Sequence, residues 1–147
     1  MTAVLTDDQG VQILDDGECR RLLGTAQLGR IGLILGEVPA VFPVNYFFSD
    51  DAIWFRTGPG VKLDAAEAGE TVAFEVDDVD HSDEEAWSVL AIGTPSIVTD
   101  AAVHEIAARV PLLPWAPDTR DHLVRVNIAF LSGRRISRES TPSRPRE

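Results

Sequence analysis

A short segment near the middle of the chain carries several groups that bind anions. Arg56 and Thr57 end a predicted strand, and a Gly-Pro-Gly turn follows at 58–60. Lys62 comes next and is the only lysine in the 147 residues. A guanidinium can hold two phosphate oxygens as a planar fork, and an ammonium adds a compact charge. A helix that begins near Pro59 would direct free N–H groups at the same anion. The segment therefore indicates a phosphate cradle, against the alternative of an ordinary turn after a basic strand end.

Two well-known phosphate loops do not fit this segment. A Walker loop ends in Gly-Lys-Ser/Thr, whereas Lys62 is followed by Leu63. The dinucleotide fingerprint needs a third glycine at the position that Leu63 occupies. A nucleotide or a phosphorylated cofactor held by another architecture stays possible.

The composition describes an acidic globular protein. Hydrophobic residues make up 44% and charged residues 25% of the chain, which suits one folded domain. The formal net charge of −11 would repel phosphate backbones, so we expect no nucleic-acid partner and no anionic membrane surface. The single cysteine, Cys19, excludes an intramolecular disulfide, and no apolar run is long enough to span a bilayer. We expect a cytoplasmic protein.

The hydrophobic pattern predicts short strands joined mostly by tight turns, with few helices. A hairpin and a third strand precede the candidate cradle, and later strands follow a helix that Gly69 ends. The predicted helices are 15–24, 63–68 and 101–109; the predicted strands are 28–35, 38–48, 52–57, 71–76, 87–98 and 123–133. Gly93 and Pro95 indicate a bulge or an edge in the long strand. We expect a single domain over 1–137 and a disordered tail over 138–147.

No metal site or catalytic triad emerges from the polar residues. The acidic stretch 77–85 contains His81, but its spacing matches neither a calcium loop nor a zinc motif, so we expect a solvated loop. Ser88 lacks the frame of a nucleophile elbow. We assign no catalytic side chain.

The strand pattern favours a closed or nearly closed antiparallel barrel. Several ordered segments then resemble the pyridoxamine 5′-phosphate oxidase-like flavin proteins over most of the chain. The similar segments are Pro43–Tyr46, Phe55–Thr57 with Gly60 and Lys62–Leu63, Val72–Asp77, Trp87–Leu90 with Gly93, and Ser132–Ile136.

The resemblance implies an antiparallel split β-barrel with a few short helices, a homodimer, and FMN in a groove between the subunits. It implies that Arg56 and Lys62 hold the FMN phosphate with Thr57 beside them. The segment Val44, Asn45, Tyr46 would follow the isoalloxazine edge. Trp87 and Ser88 would lie near the flavin, often from the partner subunit.

Several of these residues also have purely structural interpretations. Tyr46 and Trp87 are large amphipathic side chains that can fill a barrel end. Trp115 either covers the flavin or anchors a loop. Arg134 and Arg135 either add charge near the cofactor or form ion pairs at a solvated end.

The resulting functional hypothesis is an FMN-dependent oxidoreductase that acts on a small substrate. One alternative is a reductase that uses the deazaflavin F420, although its acidic tail suits a net charge of −11 poorly. Another is a flavin- or haem-binding carrier or sensor without turnover. Pyridoxamine phosphate oxidase activity itself is not assigned, because the chain is short for that enzyme and Ser132–Ile136 does not clearly reproduce its arginine-rich substrate motif.

Overall fold

A computed structural model describes residues 5–110 and 122–137. Within them the chain forms three helices and nine strands, and every strand pair is antiparallel. In chain order they are β1 (Leu5–Thr6), β2 (Gln12–Ile13), α1 (Asp16–Leu23), β3 (Leu28–Leu35), β4 (Val38–Asn45), β5 (Phe47–Ser49), β6 (Ala52–Thr57), α2 (Val61–Ala68), β7 (Val72–Asp80), β8 (Glu85–Val98), α3 (Ala101–Ala108) and β9 (His122–Ile136).

The strands form a barrel that is split along one side. The order β6-β9-β8-β7-β3-β4 curves round a common interior, and β2 pairs with the far end of β9. Within residues 5–110 and 122–137 no hydrogen-bonded ladder joins β4 to β6, although the two strands contact each other. This seam, which we call the split, confirms the predicted antiparallel split barrel with a few short helices.

Local capping explains why the helices begin and end where they do. The Asp15 carboxylate accepts the backbone N–H of Glu18 at 2.8 Å and fixes the start of α1. The Asp100 carboxylate does the same for α3 by accepting the N–H of Ala102 at 2.8 Å. Gly69 ends α2 with φ of 64°, a conformation that glycine adopts without strain. The three predicted helices are therefore confirmed.

The strand predicted over 38–48 is interrupted. β4 ends at Asn45 and β5 begins at Phe47, with Tyr46 between them. The Tyr46 hydroxyl donates to the carbonyl of Leu23 at 2.6 Å, so the ring turns into the barrel instead of continuing the strand. The prediction of one continuous strand was wrong because this bond joins residues distant in the sequence.

The acidic stretch 77–85, predicted to be a loop, is mostly strand. β7 continues to Asp80 and β8 begins at Glu85, so the turn contains only residues 81–84. The Asp80 carboxylate accepts from the Ser82 hydroxyl at 2.6 Å and from the Ser82 backbone N–H at 3.0 Å. These bonds form a tight turn between the two strands. The β7–β8 ladder continues up to this turn, although several side chains along it are exposed carboxylates.

The bulge predicted near Gly93 is confirmed. The β8–β9 register shifts between Ile92 and Gly93, which leaves Ala129 as the extra residue on β9. After Gly93, β8 pairs only with β9 among the described residues. Pro95, which has no N–H, therefore removes no hydrogen bond to a strand on the opposite edge of β8. The bend lets the long strand follow the barrel wall.

Two apolar clusters hold the fold together. The main one fills the barrel, and its largest fully buried side chains include Tyr46, Phe55 and Phe74. A smaller one lies where α3 covers β6 and β9, and it contains Trp54 and Leu123.

The predicted loop around Trp115 and the predicted tail 138–147 lie outside the described residues. Over 5–110 and 122–137 no helix has the length and apolar character needed to cross a membrane.

Candidate functional site

The end of β6 places Arg56 and Thr57 on opposite faces of the strand. Phe55 and Thr57 are buried, whereas Arg56 is half-buried on the α3 side, as the alternation of the strand predicts. The Arg56 guanidinium donates a hydrogen bond to the Ala107 carbonyl at the end of α3. A cation at a helix C-terminus is favourable, and this bond fixes the direction of the side chain. A guanidinium has five N–H donors, so the bond to Ala107 uses one of several.

The turn after β6 leads directly into the first turn of α2. The Thr57 hydroxyl donates to the Gly58 carbonyl at 3.1 Å. Gly60 then adopts φ of 149°, which L side chains rarely adopt, and the position that a Cβ would take has no atom within 4 Å. A substituent at Gly60 would therefore be strained although the space around it is open.

The start of α2 has the properties of an anion site. Among the described residues no side chain caps this helix at Gly60. The first helical hydrogen bond runs from the Asp64 backbone N–H to the Gly60 carbonyl at 2.9 Å. The backbone N–H groups that come before Asp64 in the first turn are not part of this helical bonding. Lys62 lies in the same turn. A phosphate group fits these donors and this charge without displacing a side-chain cap.

Lys62 makes a contact that the sequence did not predict. Its ammonium nitrogen lies 5.8 Å from the centre of the Phe42 ring on β4. Phe42 is half-buried and packs against the main cluster. It precedes the buried Val44 by two residues, so strand alternation alone could have placed it on the interior face.

The strand that carries Val44 and Asn45 contacts β6 across the split without a hydrogen-bonded ladder. Asn45 is buried at 7% exposure. The structure therefore brings β4 beside β6, and Lys62 in the first turn of α2 lies close to Phe42 on β4.

The Tyr46 side chain is part of the core. The residue is 1% exposed, and its ring lies edge-on to Phe74 at 4.9 Å between centroids. Burial raises the pKa of the Tyr46 hydroxyl well above its ordinary value. Its backbone N–H donates to the Gln27 carbonyl at 2.9 Å. The interpretation of Tyr46 as a barrel-filling side chain therefore describes its position.

Trp87 and Ser88 lie at the other end of the barrel wall within one chain. Val98, near the C-terminus of β8, pairs with Leu123, which also pairs with Arg56. Trp87 is eleven positions earlier on β8, or about 36 Å along an extended strand. Trp87 and Ser88 are therefore remote from Arg56 along the β8–β9 ladder.

Arg134 and Arg135 form ion pairs at that far end. Arg134 contacts Asp7 at 3.3 Å, and Arg135 contacts Glu18 at 2.8 Å. Hydrogen bonds from Arg21 and Arg135 lower the pKa of Glu18 to about 2. The ion-pair interpretation of the two arginines is therefore the one that the structure supports.

The outer face of the barrel carries a row of small and apolar residues across five strands. Direct cross-strand partners form this row, which we call the outer row: Val41, Gly32, Ala73, Ile92 and Phe130. Val41 is 66% exposed and Phe130 is 56% exposed. Large apolar side chains with this exposure are unusual on a monomer when they share one continuous face.

A charged cluster lies next to the outer row. Arg30 contacts Glu75 at 3.2 Å and Asp77 at 3.0 Å. Burial and the neighbouring Asp77 carboxylate raise the pKa of Glu75 to about 7, although Arg30 opposes this shift. Over residues 5–110 and 122–137 no group of three or more His, Cys, Asp and Glu side chains is placed to hold a metal ion.

These features define a split-barrel protein with a candidate anion site at the start of α2. The family model for pyridoxamine 5′-phosphate oxidase matches residues 15–135. The Mycobacterium tuberculosis protein Rv0080 is 32% identical over 133 residues, which cover 86% of this chain and 86% of that protein. The chain therefore belongs to the pyridoxamine 5′-phosphate oxidase family.

Solved structures with the same fold include two described as FAD-binding proteins. The one from Mycobacterium smegmatis is 36% identical and has a TM-score of 0.69, covering 85% of this chain and 97% of that chain. The one from Mesorhizobium loti is 24% identical with a TM-score of 0.74, covering 86% of this chain and 99% of that chain. The second likeness supports the fold alone.

Proposed function

We propose that this protein is a flavoprotein that binds FMN at the split and acts as an oxidoreductase on a small substrate. The observation that carries the proposal is the uncapped start of α2, with Lys62 in its first turn and Arg56 and Thr57 directly before it. A split-barrel relative described as FAD-binding supports the choice of a flavin. FMN and FAD share the phosphate that this site would hold.

Each part of the site has a distinct role in binding. Lys62 and the first-turn N–H groups of α2 would hold the phosphate, because both present positive charge to it. Arg56 would add a second, directional donor while its bond to Ala107 fixes its orientation. Val44 and Asn45 at the end of β4 would run along the ring edge, where backbone donors and acceptors match the polar atoms of a flavin.

The bound flavin would supply the hydride or electron transfer itself. The chain would position the ring beside a substrate and limit the access of water, and such positioning accounts for much of an enzymatic rate. Thr57 and Asn45 are the buried polar side chains at the candidate site, and neither titrates near neutral pH. The substrate or solvent would therefore provide the protons.

Parallel titration with FMN, FAD, F420 and haem separates the cofactor alternatives. We expect about one flavin per subunit and no comparable binding of F420 or haem. Reduction without oxygen, followed by mixing with oxygen, quinones or nitro compounds, separates an enzyme from a carrier. Reoxidation no faster than that of free FMN would favour a carrier or sensor.

Removal of the lysine should weaken FMN much more than riboflavin, which lacks the phosphate. For Lys62→Ala we expect the FMN dissociation constant to rise about 10- to 100-fold, because a charge-assisted hydrogen bond contributes about 1.5–3 kcal/mol. Fluorescence quenching during titration of both ligands measures the difference. The matched control is Glu67→Ala on the exposed face of α2, which should change neither affinity. Equal losses for FMN and riboflavin in Lys62→Ala would remove the phosphate role.

We also propose that the working form is a homodimer. The exposed outer row offers an apolar face that a second copy can cover, and aromatic residues such as Phe130 are enriched at such interfaces. A second copy would also bring another Trp87 and Ser88, which within one chain are remote from Arg56 along the β8–β9 ladder. The proposed flavin groove would then be complete only in the dimer.

A charge in the outer row should break this dimer. For Phe130→Arg we expect a folded monomer, because an unpaired guanidinium buried at the interface would cost several kcal/mol, roughly as for other buried charges. Sedimentation velocity measures the assembly, and circular dichroism confirms the fold. Ile106→Arg, on the exposed surface of α3, is the control and should stay dimeric. A Phe130→Arg protein that is still dimeric would place the interface elsewhere.

A further inference from the structure

The charged cluster of Arg30, Glu75 and Asp77 lies within the face that carries the outer row. Arg30 lies directly opposite Glu75 in the β3–β7 ladder, and each of them is two positions along its strand from a member of that row. On the other side of Glu75 lies Leu90, which is 37% exposed, so apolar surface continues past the charges. A second copy that covers the outer row would therefore cover the charged cluster as well.

The charged cluster has two carboxylates for one guanidinium. The Arg30 guanidinium contacts Glu75 at 3.2 Å and Asp77 at 3.0 Å, so one positive charge is shared between two negative ones. With both carboxylates ionised, the cluster has one net negative charge. When Glu75 takes up a proton, the ion pair of Arg30 with Asp77 remains and the cluster becomes neutral.

The strands on either side add no charge beside Glu75. The direct cross-strand neighbours of the cluster on β4 and β8 are uncharged: Pro43, Leu90 and Ser88. One strand further, Arg134 of β9 lies opposite Ser88, and its guanidinium contacts Asp7 at 3.3 Å. The charges that face Glu75 are therefore those of Asp77 and Arg30. Burial and the Asp77 carboxylate raise the pKa of Glu75 to about 7, against the effect of Arg30.

We propose that protonation of the charged cluster regulates assembly of the homodimer, so that two copies associate more tightly when Glu75 is neutral. The inference rests on the proposed homodimer across the outer row. Covering the cluster removes water from the second carboxylate, which disfavours its ionised form. Association therefore takes up protons, and the dimer should be strongest below about pH 7 and weaken as the pH rises past this value.

The dissociation constant of the dimer at pH 6 and at pH 8 tests this dependence. Because each dimer contains two copies of the cluster, we expect the constant to rise about 10- to 100-fold from pH 6 to pH 8. Sedimentation velocity over a range of protein concentrations measures it. If both solutions contain only dimer at the lowest concentration, subunit exchange between two fluorescently labelled batches gives the same comparison and should be faster at pH 8.

Glu75→Gln should abolish the dependence, because glutamine has the shape of the neutral acid and does not titrate. Its dimer should be as tight at pH 8 as the wild-type dimer is at pH 6. Glu67→Gln removes a carboxylate from the exposed face of α2 and is the matched control, which should keep the wild-type dependence. If Glu75→Gln does not fold, Asp77→Asn is the second variant. It leaves Arg30 with one carboxylate and removes a cause of the raised Glu75 pKa, so its dimer should be about equally tight at both pH values.

The possible results distinguish the regulation from the homodimer itself. A wild-type protein that is monomeric at pH 6 and at pH 8 would overturn the homodimer and its regulation together. A wild-type dimer that is as tight at pH 8 as at pH 6 would overturn the regulation and leave the homodimer standing. A wild-type dependence that persists in Glu75→Gln or in Asp77→Asn would overturn the role of the charged cluster.

Discussion

Gly93→Ala is expected to lower the free energy of unfolding by about 3 kcal/mol or more, at the upper end of what an extra methyl group costs in a packed interior. The added Cβ would lie 2.1 Å from the backbone oxygen of Asn127 and 2.9 Å from its carbonyl carbon. Backbone atoms cannot rotate away as a side chain can. In the variant, β8 and β9 must therefore move apart at the bulge, the place where the long strand bends.

Urea denaturation at fixed protein concentration measures this effect, and an exposed glycine in α1 provides the control. In Gly17→Ala the new Cβ would meet Asp15 Oδ1 at 3.6 Å, an ordinary contact. We expect no loss of more than about 1 kcal/mol there, because the substitution also reduces the freedom of the unfolded chain. Equal stability of Gly93→Ala and Gly17→Ala would show that the bulge tolerates a side chain.

Phe74→Ala should cost about 3–5 kcal/mol, the usual penalty for emptying a fully buried aromatic site. Phe74 is 0% exposed and supports the Tyr46 ring that interrupts the β4–β5 segment. Thermal or urea unfolding measures the loss. Ile106→Ala, which shortens an exposed side chain on α3, is the control and should cost less than about 1 kcal/mol.

A double-mutant cycle with Gly29 tests whether Phe74 fills the space next to β3. A Cβ at Gly29 would lie 2.4 Å from the tip of the Phe74 ring, so Gly29→Ala alone should destabilise the fold by about 1–3 kcal/mol. In the Phe74→Ala background the same methyl group enters the vacated volume. We expect the double variant to lose less stability than the sum of the losses in the two single variants. Strict additivity would contradict the packing described for these two residues.

Local signals made much of the fold predictable, and distant contacts account for the rest. Asp15, Gly24 and Gly69 mark helix ends through bonds within a few residues, which a sequence displays directly. The interruption at Tyr46 depends on a hydrogen bond to Leu23, and no local pattern encodes that pairing. The strand structure within 77–85 also escapes local prediction. Its acidic residues disfavour a strand until the partner strand is present.

The candidate site divides in the same way. Arg56, Thr57 and Lys62 lie within seven consecutive positions, so their association was visible in the sequence. The positions of Phe42 beneath Lys62 and of the Ala107 carbonyl beside Arg56 depend on how β4 and α3 pack around the split. The separation of Trp87 from Arg56 follows from the β8–β9 register, which only the folded barrel reveals.

The position of β9 has a consequence for the order of folding. This strand, at residues 122–136, pairs with β2, β6 and β8, which are distributed along all the preceding sequence. Synthesis must therefore pass Ile136 before the barrel wall can assemble completely. Until then the edges of β6 and β8 lack their partner and can pair with other chains. Contacts of such long sequence separation are typical of slow folding, so the nascent protein would gain from a chaperone that shields these edges.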